Sequence, residues 1–183
     1  MQGLHIVMML TIMMLIMLQL KDLPDAKVLE KFTARYPDAD PSAVLPFLKL
    51  LRVSSDLSTA LDNFLGGYGL LQGRWWVLIL LMREHNLTST PSELAERAGV
   101  SRATMTGLVD SLQREGLVER REDAQDRRKY VISLTAAGQA KLDAVMPDYY
   151  RRVEQLMRPI ATEQRNALVA CLTLLEQQTG AFG

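Results

Sequence analysis

Residues 90–135 read TPSELAERAGVSRATMTGLVDSLQREGLVERREDAQDRRKYVISLT, and the fold turns on how this stretch is parsed. Thr90, Pro91 and Glu93 form a helix start: a threonine at the N-cap, proline at the first helical position, glutamate three residues after the cap. The helix they open is short and ends at Ala98. Gly99 and Val100 make a turn, and Ser101 caps a second helix that runs to about Glu115 and is closed by Gly116. Residues 117–122 and 129–134 then read as two strands, with Tyr130, Ile132 and Leu134 alternating against Val131 and Ser133. The six residues between them, DAQDRR, are a charged hairpin loop.

A short helix, a glycine turn, a capped helix and a basic hairpin, in that order, make a winged helix-turn-helix unit. Such units lay the second helix in the major groove of DNA, where base edges carry a distinguishable pattern of donors and acceptors. The second helix is built for this. Met105, Leu108, Val109 and Leu112 follow helical spacing and face the core. The opposite side carries Arg102, Ala103, Thr106, Gly107, Asp110 and Arg114. Ala103 and Gly107 are small enough for a close approach to a groove. Arg102, Thr104 and Thr106 are of types that reach bases and phosphates, and Ser101 sits at the positive end of the helix dipole.

The hairpin supplies Arg120, Arg121, Arg127, Arg128 and Lys129. Guanidinium groups at a hairpin tip suit a narrow minor groove. Asp126 has the wrong sign for a DNA contact and is expected to pair with an arginine and hold the wing in shape. A basic hairpin alone is usually only a solvated face. The alternative function is a winged helix that binds protein and not DNA.

Outward from this unit the chain is helical. Residues 25–36 read as a short amphipathic helix with Val28, Leu29 and Phe32 on one face. Residues 42–65 form a long one, ended by Gly66-Gly67-Tyr68-Gly69. Residues 72–84 are nearly all apolar in the middle and therefore buried on most sides. Thr135 caps a long helix to about Arg158, and Thr162 caps the last, striped by Leu168, Leu172 and Leu175. The expected fold is mainly α with a small β-hairpin wing. Its expected segments are an apolar extension (1–20), N-terminal dimerisation helices (21–71), the winged helix-turn-helix domain (72–135) and C-terminal dimerisation helices (136–183).

Composition narrows the function classes. The 21 basic and 21 acidic side chains give zero formal charge, which argues against non-specific coating of nucleic acid but leaves room for one basic face. The single cysteine, Cys171, rules out an intrachain disulfide and fits a reducing cytoplasm; it reads as buried and structural. His5 and His85 lie far apart and give no metal-ligand set. No nucleophile elbow or phosphate loop organises the carboxylates, so neither catalysis nor a cofactor is expected.

Residues 4–18, LHIVMMLTIMMLIML, are apolar apart from His5 and Thr11. This is shorter than the roughly 18 residues of a membrane-spanning helix, and it has no basic flank or small-residue cleavage site. Three readings stand. The tract is an upstream extension with the natural start nearer Met17, a helix buried in a dimer interface, or a membrane anchor.

The chain resembles the MarR family of bacterial transcriptional regulators from about Ala43 to about Gln177, most specifically over residues 92–138. The stretch DRRKYVISLT, 126–135, is similar to the family's wing signature. The resemblance implies a homodimer held by N- and C-terminal helices, with two winged domains on a pseudo-palindromic site in double-stranded DNA. It implies that Ser101, Arg102, Thr104 and Thr106 read the major groove while Arg127 or Arg128 enters the minor groove. It also implies a pocket between dimerisation helices and winged domain for a small anionic or phenolic compound, whose binding lowers DNA affinity. The apolar N-terminal tract departs from the usual pattern, and Cys171 does not lie where peroxide-sensing members carry their cysteine.

For the pocket, Tyr68, Arg74, Trp75 and Trp76 are the candidates. Adjacent helical positions point about 100° apart, so at most one tryptophan faces the central core. Packing of the helix junction and an aromatic ligand box both remain readings of this pair.

Overall fold

A computed structural model describes residues 21–122 and 130–182. Among them the elements run α1 (Ala26–Arg35), α2 (Pro41–Gly66), α3 (Gln72–Met82), β1 (Thr88–Ser89), α4 (Pro91–Ala98), α5 (Arg102–Arg114), β2 (Val118–Glu122), β3 (Tyr130–Leu134), α6 (Ala136–Met157) and α7 (Thr162–Glu176), with a final 3-10 turn, Thr179–Phe182. The chain divides into two compact units, Met1–Gln72 and Gly73–Gly183.

In the first unit, α1 opens on Asp25, whose carboxylate accepts the Val28 N–H at 2.8 Å. α2 starts at Pro41, one residue before the expected start, because Asp40 is the N-cap and proline suits the first helical position. It ends in the glycine run, where Gly69 takes a positive φ of 68°. The N–H of Gln72 donates to Asp62 Oδ1 at 3.0 Å, which satisfies an amide at the start of α3 from a side chain of α2.

In the second unit the sheet has the order β1-β3-β2, all antiparallel. The sequence reading expects two strands; the structure adds β1. Two residues carry no periodic signal, but Thr88 pairs with Ser133 and Ser89 with Ile132, so β3 becomes the central strand. That explains why Ser133 is buried, although strict alternation puts it outside. The core gathers Trp75, Val77, Leu78 and Leu81 of α3, Leu94 of α4, Met105, Val109 and Leu112 of α5, Ile132 of β3, and Leu142 and Val145 of α6.

The cap of α4 forms as its residue types require. The Glu93 N–H donates to Thr90 Oγ1 at 3.2 Å, and Glu93 Oε2 accepts the Thr90 N–H at 2.9 Å. The Ser89 hydroxyl donates to the same oxygen at 3.0 Å. The Thr90 amide and the Ser89 hydroxyl together hold the Glu93 carboxyl below its ordinary value of about 4.5. A lowered carboxyl adds stability above its ordinary value and loses it as pH falls through the folded one. Glu93→Gln is therefore expected to lower stability by about 0.5 kcal/mol at neutral pH, an exposed cap's effect. The gap to the parent in thermal melts should close as pH drops below about 4.5. A gap that stays constant with pH would contradict this account.

Two expected features change in the structure. Thr162 is the first residue of α7, and its N-cap is Ala161, which has no side-chain cap; Gln164 Oε1 accepts the Ala161 N–H instead, at 3.0 Å. Cys171 is exposed in the chain, because α7 buries none of its residues. None of the described helices is long and apolar enough to cross a membrane.

Candidate nucleic-acid interface

The turn between α4 and α5 is set by Gly99, which sits at a left-handed φ of 65° and donates its N–H to the Glu96 carbonyl at 3.1 Å. Two residues on, Ser101 Oγ accepts the Thr104 N–H at 3.1 Å and caps α5. Met105, Val109 and Leu112 are then buried and anchor the helix, which leaves Arg102, Ala103, Thr104, Thr106, Gly107 and Asp110 exposed on its other side. The structure thus gathers Ser101, Arg102, Thr104 and Thr106 on one exposed helix start. Their hydroxyls are held locally: Ser101 Oγ and Thr104 Oγ1 lie 2.9 Å apart, and Thr106 Oγ1 donates to the Arg102 carbonyl at 2.9 Å. A Cβ added to Gly107 would meet nothing within 4 Å, so no packing inside the chain requires glycine there. Its presence mid-helix costs roughly 0.5–1 kcal/mol relative to alanine.

Arg120 leaves the wing from β2 and forms an ion pair with Asp110 of α5. Its guanidinium also lies over the Tyr130 ring of β3, 5.5 Å from the centroid. Sequence reasoning puts Arg120 among the DNA contacts; the structure shows it paired with Asp110. Asp110 lies ten residues before it, a separation with no local signature. Arg121 pairs with Glu119 on the same face of β2. Asp126, Arg127, Arg128 and Lys129 lie outside the described residues.

Of the four pocket candidates, Trp75 and Trp76 share one cleft. Tyr68 belongs to the first unit, where it makes an edge contact with Phe64. Arg74 forms an ion pair with Glu115 at the end of α5. Trp75 is 1% exposed and Trp76 40%, the division that adjacent helical positions require. Both line a cleft of about 510 Å³ between α3 and α6, with Arg83, Asp143, Met146, Tyr149 and Tyr150 among its walls. The Trp75 ring centroid lies 4.6 Å from that of Trp76 and 4.8 Å from that of Tyr149. Trp75 Nε1 is buried with no hydrogen-bond partner. The α6 residues of this wall escape the sequence reading, although Leu142, Met146 and Tyr149 keep an i, i+4, i+7 spacing that marks them as one face.

Among the described residues no group of three or more His, Cys, Asp or Glu side chains is arranged to hold a metal ion.

Known proteins share this arrangement. A model described as "MarR family" matches residues 68–129. The HTH-type transcriptional repressor YetL of Bacillus subtilis is 32% identical over 90% of this chain and 99% of its own length. Two MarR family transcriptional regulators of Streptomyces coelicolor share the fold. AbsC has a TM-score of 0.72 at 20% identity, covering 78% of this chain and 97% of its own. Sco3205, solved in complex with DNA, has a TM-score of 0.71 at 22% identity, covering 76% and 89%. A relative this similar along nearly the whole of both chains, with the winged helix-turn-helix unit in place, shows that the chain belongs to the MarR family of transcriptional regulators.

Proposed function

We propose that this chain is a transcriptional repressor that binds a pseudo-palindromic DNA site as a homodimer. One observation carries the reading: the start and outer side of α5 are exposed, polar and small, while its other side is locked into the core. A helix so mounted can enter a major groove without moving any core residue. Ser101, Arg102, Thr104 and Thr106 serve as the groove-facing set, and Arg127, Arg128 and Lys129 of the wing as minor-groove and phosphate contacts. Exposed apolar residues, Leu57 on α2 and, separately, Leu168 and Leu172 on α7, are available to a second copy. Sco3205 with its bound DNA, and YetL by its name, support the same reading.

The test is fluorescence anisotropy with duplexes from upstream of the chain's own gene, across a salt series. Arg102→Ala is expected to weaken the best duplex by about tenfold and to flatten the preference among duplexes, as loss of a base contact does. Arg128→Ala is expected to weaken all duplexes alike and reduce the salt slope by about 1. Indifference of both variants in both readouts would favour a protein-binding winged helix.

We further propose that the cleft between α3 and α6 takes a small aromatic effector. The exposed ring of Trp76 offers a stacking face, and the indole N–H of Trp75 is a donor without an acceptor. A ligand there shifts DNA affinity only by its preference for one spacing of the two recognition helices. Repeating the DNA titration with a panel of aromatic acids and phenols, while following tryptophan fluorescence, reads both binding and its consequence.

A further inference from the structure

The α3–α6 cleft has an aromatic end and a charged end. Trp76, Ile79 and Arg83 line it from one side, and Asp143, Met146 and Tyr150 from the other. Each set keeps an i, i+3, i+7 spacing, which puts its members on one helical face. Arg83 lies just past α3, but its N–H still donates to the Ile79 carbonyl at 3.1 Å, so the helical path reaches it. The two helices run antiparallel. The Trp75 and Tyr149 rings meet near the start of α3 and well along α6, whereas Leu87, beyond the end of α3, accepts the N–H of Leu134 at 2.9 Å, just before the start of α6. Trp76 and Tyr150 therefore share one end of the cleft, and Arg83 and Asp143 share the end nearer the sheet. Seven residues of helix rise about 10 Å, which sets the distance between the two ends.

Arg83 and Asp143 are exposed, and they are the charged members of this lining. Other arginines of the second unit are paired: Arg74 with Glu115, Arg97 with Glu84 and Arg120 with Asp110. Among the described residues Arg83 and Asp143 form no ion pair, with each other or with any other side chain. One unpaired charge on a surface is ordinary. One of each sign at the same end of a cleft, with two rings at the other end, fits a ligand that has an aromatic ring and both charges. A carboxylate alone would be drawn to Arg83 and repelled by Asp143, and an ammonium alone the reverse. A molecule that carries both satisfies both.

We infer that the cleft selects an aromatic zwitterion of amino-acid type. Its ring packs against Trp76 and Tyr150, its carboxylate pairs with Arg83 and its ammonium with Asp143. The inference rests on the cleft being the effector site proposed above, and it narrows the ligand class of that site.

The test is isothermal titration calorimetry of the full chain with L-phenylalanine, L-tyrosine and L-tryptophan. Each is set beside its relative without the ammonium and its relative without the carboxylate; for L-phenylalanine these are hydrocinnamate and phenethylamine. At least one amino acid is expected to bind about tenfold tighter than both of its relatives. Asp143→Asn should weaken that amino acid about tenfold and leave its carboxylate-only relative no weaker. Arg83→Gln should weaken it as much and leave the ammonium-only relative no weaker. Neither side chain is paired in the fold, so both variants should melt with the parent, which excludes unfolding. An amino acid that binds no tighter than its carboxylate-only relative overturns the zwitterion and leaves an aromatic acid as the effector. Tight binding untouched by either substitution places the ligand elsewhere and also overturns it. Binding by none of these compounds at millimolar concentration overturns the zwitterion and the effector site together.

Discussion

Gly138→Ala is expected to cost the second unit about 3 kcal/mol and to lower its melting temperature by roughly 10 °C or more. A Cβ on Gly138 would lie 2.2 Å from the Leu117 carbonyl oxygen and 2.6 Å from Leu134 Cδ1. The backbone carbonyl cannot yield cheaply. The Leu117 carbonyl accepts the Thr135 N–H at 3.2 Å and the Thr135 hydroxyl at 3.0 Å, while Thr135 Oγ1 in turn accepts the Gly138 N–H at 3.0 Å. The start of α6 and the start of β2 are thus locked by one carbonyl and one threonine, and a methyl group forces them apart. Overpacking costs 1–3 kcal/mol in ordinary cores and more against backbone; the helix-propensity gain of alanine, up to about 1 kcal/mol, offsets only part. Gly107→Ala is the contrasting case. With nothing within 4 Å it should gain roughly 0.5–1 kcal/mol of stability while placing a methyl group on the face proposed to meet DNA. Thermal melts of the two variants read both signs. A Gly138→Ala protein melting within about 2 °C of its parent would show that α6 does not rest on β2 in this way.

These two glycines also show what sequence can and cannot disclose. Both stand within helical spacing and look alike on paper; only packing separates the one that must be small from the one that is free to grow. The helix-turn-helix itself was legible because its determinants are local. Thr90 and Glu93 cap each other, Gly99 takes the left-handed turn, and Ser101 caps α5, each within four residues of its partner. What stayed hidden joins distant residues. Arg74 meets Glu115 across 41 positions, and the two-residue β1 is defined only by its pairing to β3. The α3–α6 cleft likewise needs Trp76 and Tyr150 on helices far apart in the chain. Pro147 lies inside α6, and the helix runs through it to Met157, as the sequence reading of one long helix expects. Local signals settle the elements and which face of each is apolar. They are silent on which charges meet.

Arg120 is where that silence has the most consequence for the proposed interface. Read as one of a cluster of wing arginines, it is a phosphate contact. Read from its surroundings, it is a strut, paired with Asp110 and stacked on Tyr130. Asp110→Ala separates the two because they predict opposite signs. If Arg120 grips phosphate, losing Asp110 frees its guanidinium and removes a negative charge from the DNA-facing side, so affinity rises. If Arg120 is a strut, the wing loses its tie to the recognition helix and must be ordered afresh on binding, at a cost near 1–2 kcal/mol per residue fixed. The geometry favours the second. Asp110→Ala is expected to weaken DNA binding by about 2 kcal/mol, roughly 30-fold, and Arg120→Ala by a similar amount. The double variant should be no worse than either single one, since both remove the same contact. The pair is exposed, so the fold itself should lose no more than about 1 kcal/mol. The salt slope settles the role. A lost phosphate contact lowers it by about 0.9, whereas a lost strut leaves it unchanged. Tighter binding by Asp110→Ala, or a reduced slope for Arg120→Ala, would return Arg120 to the phosphate backbone.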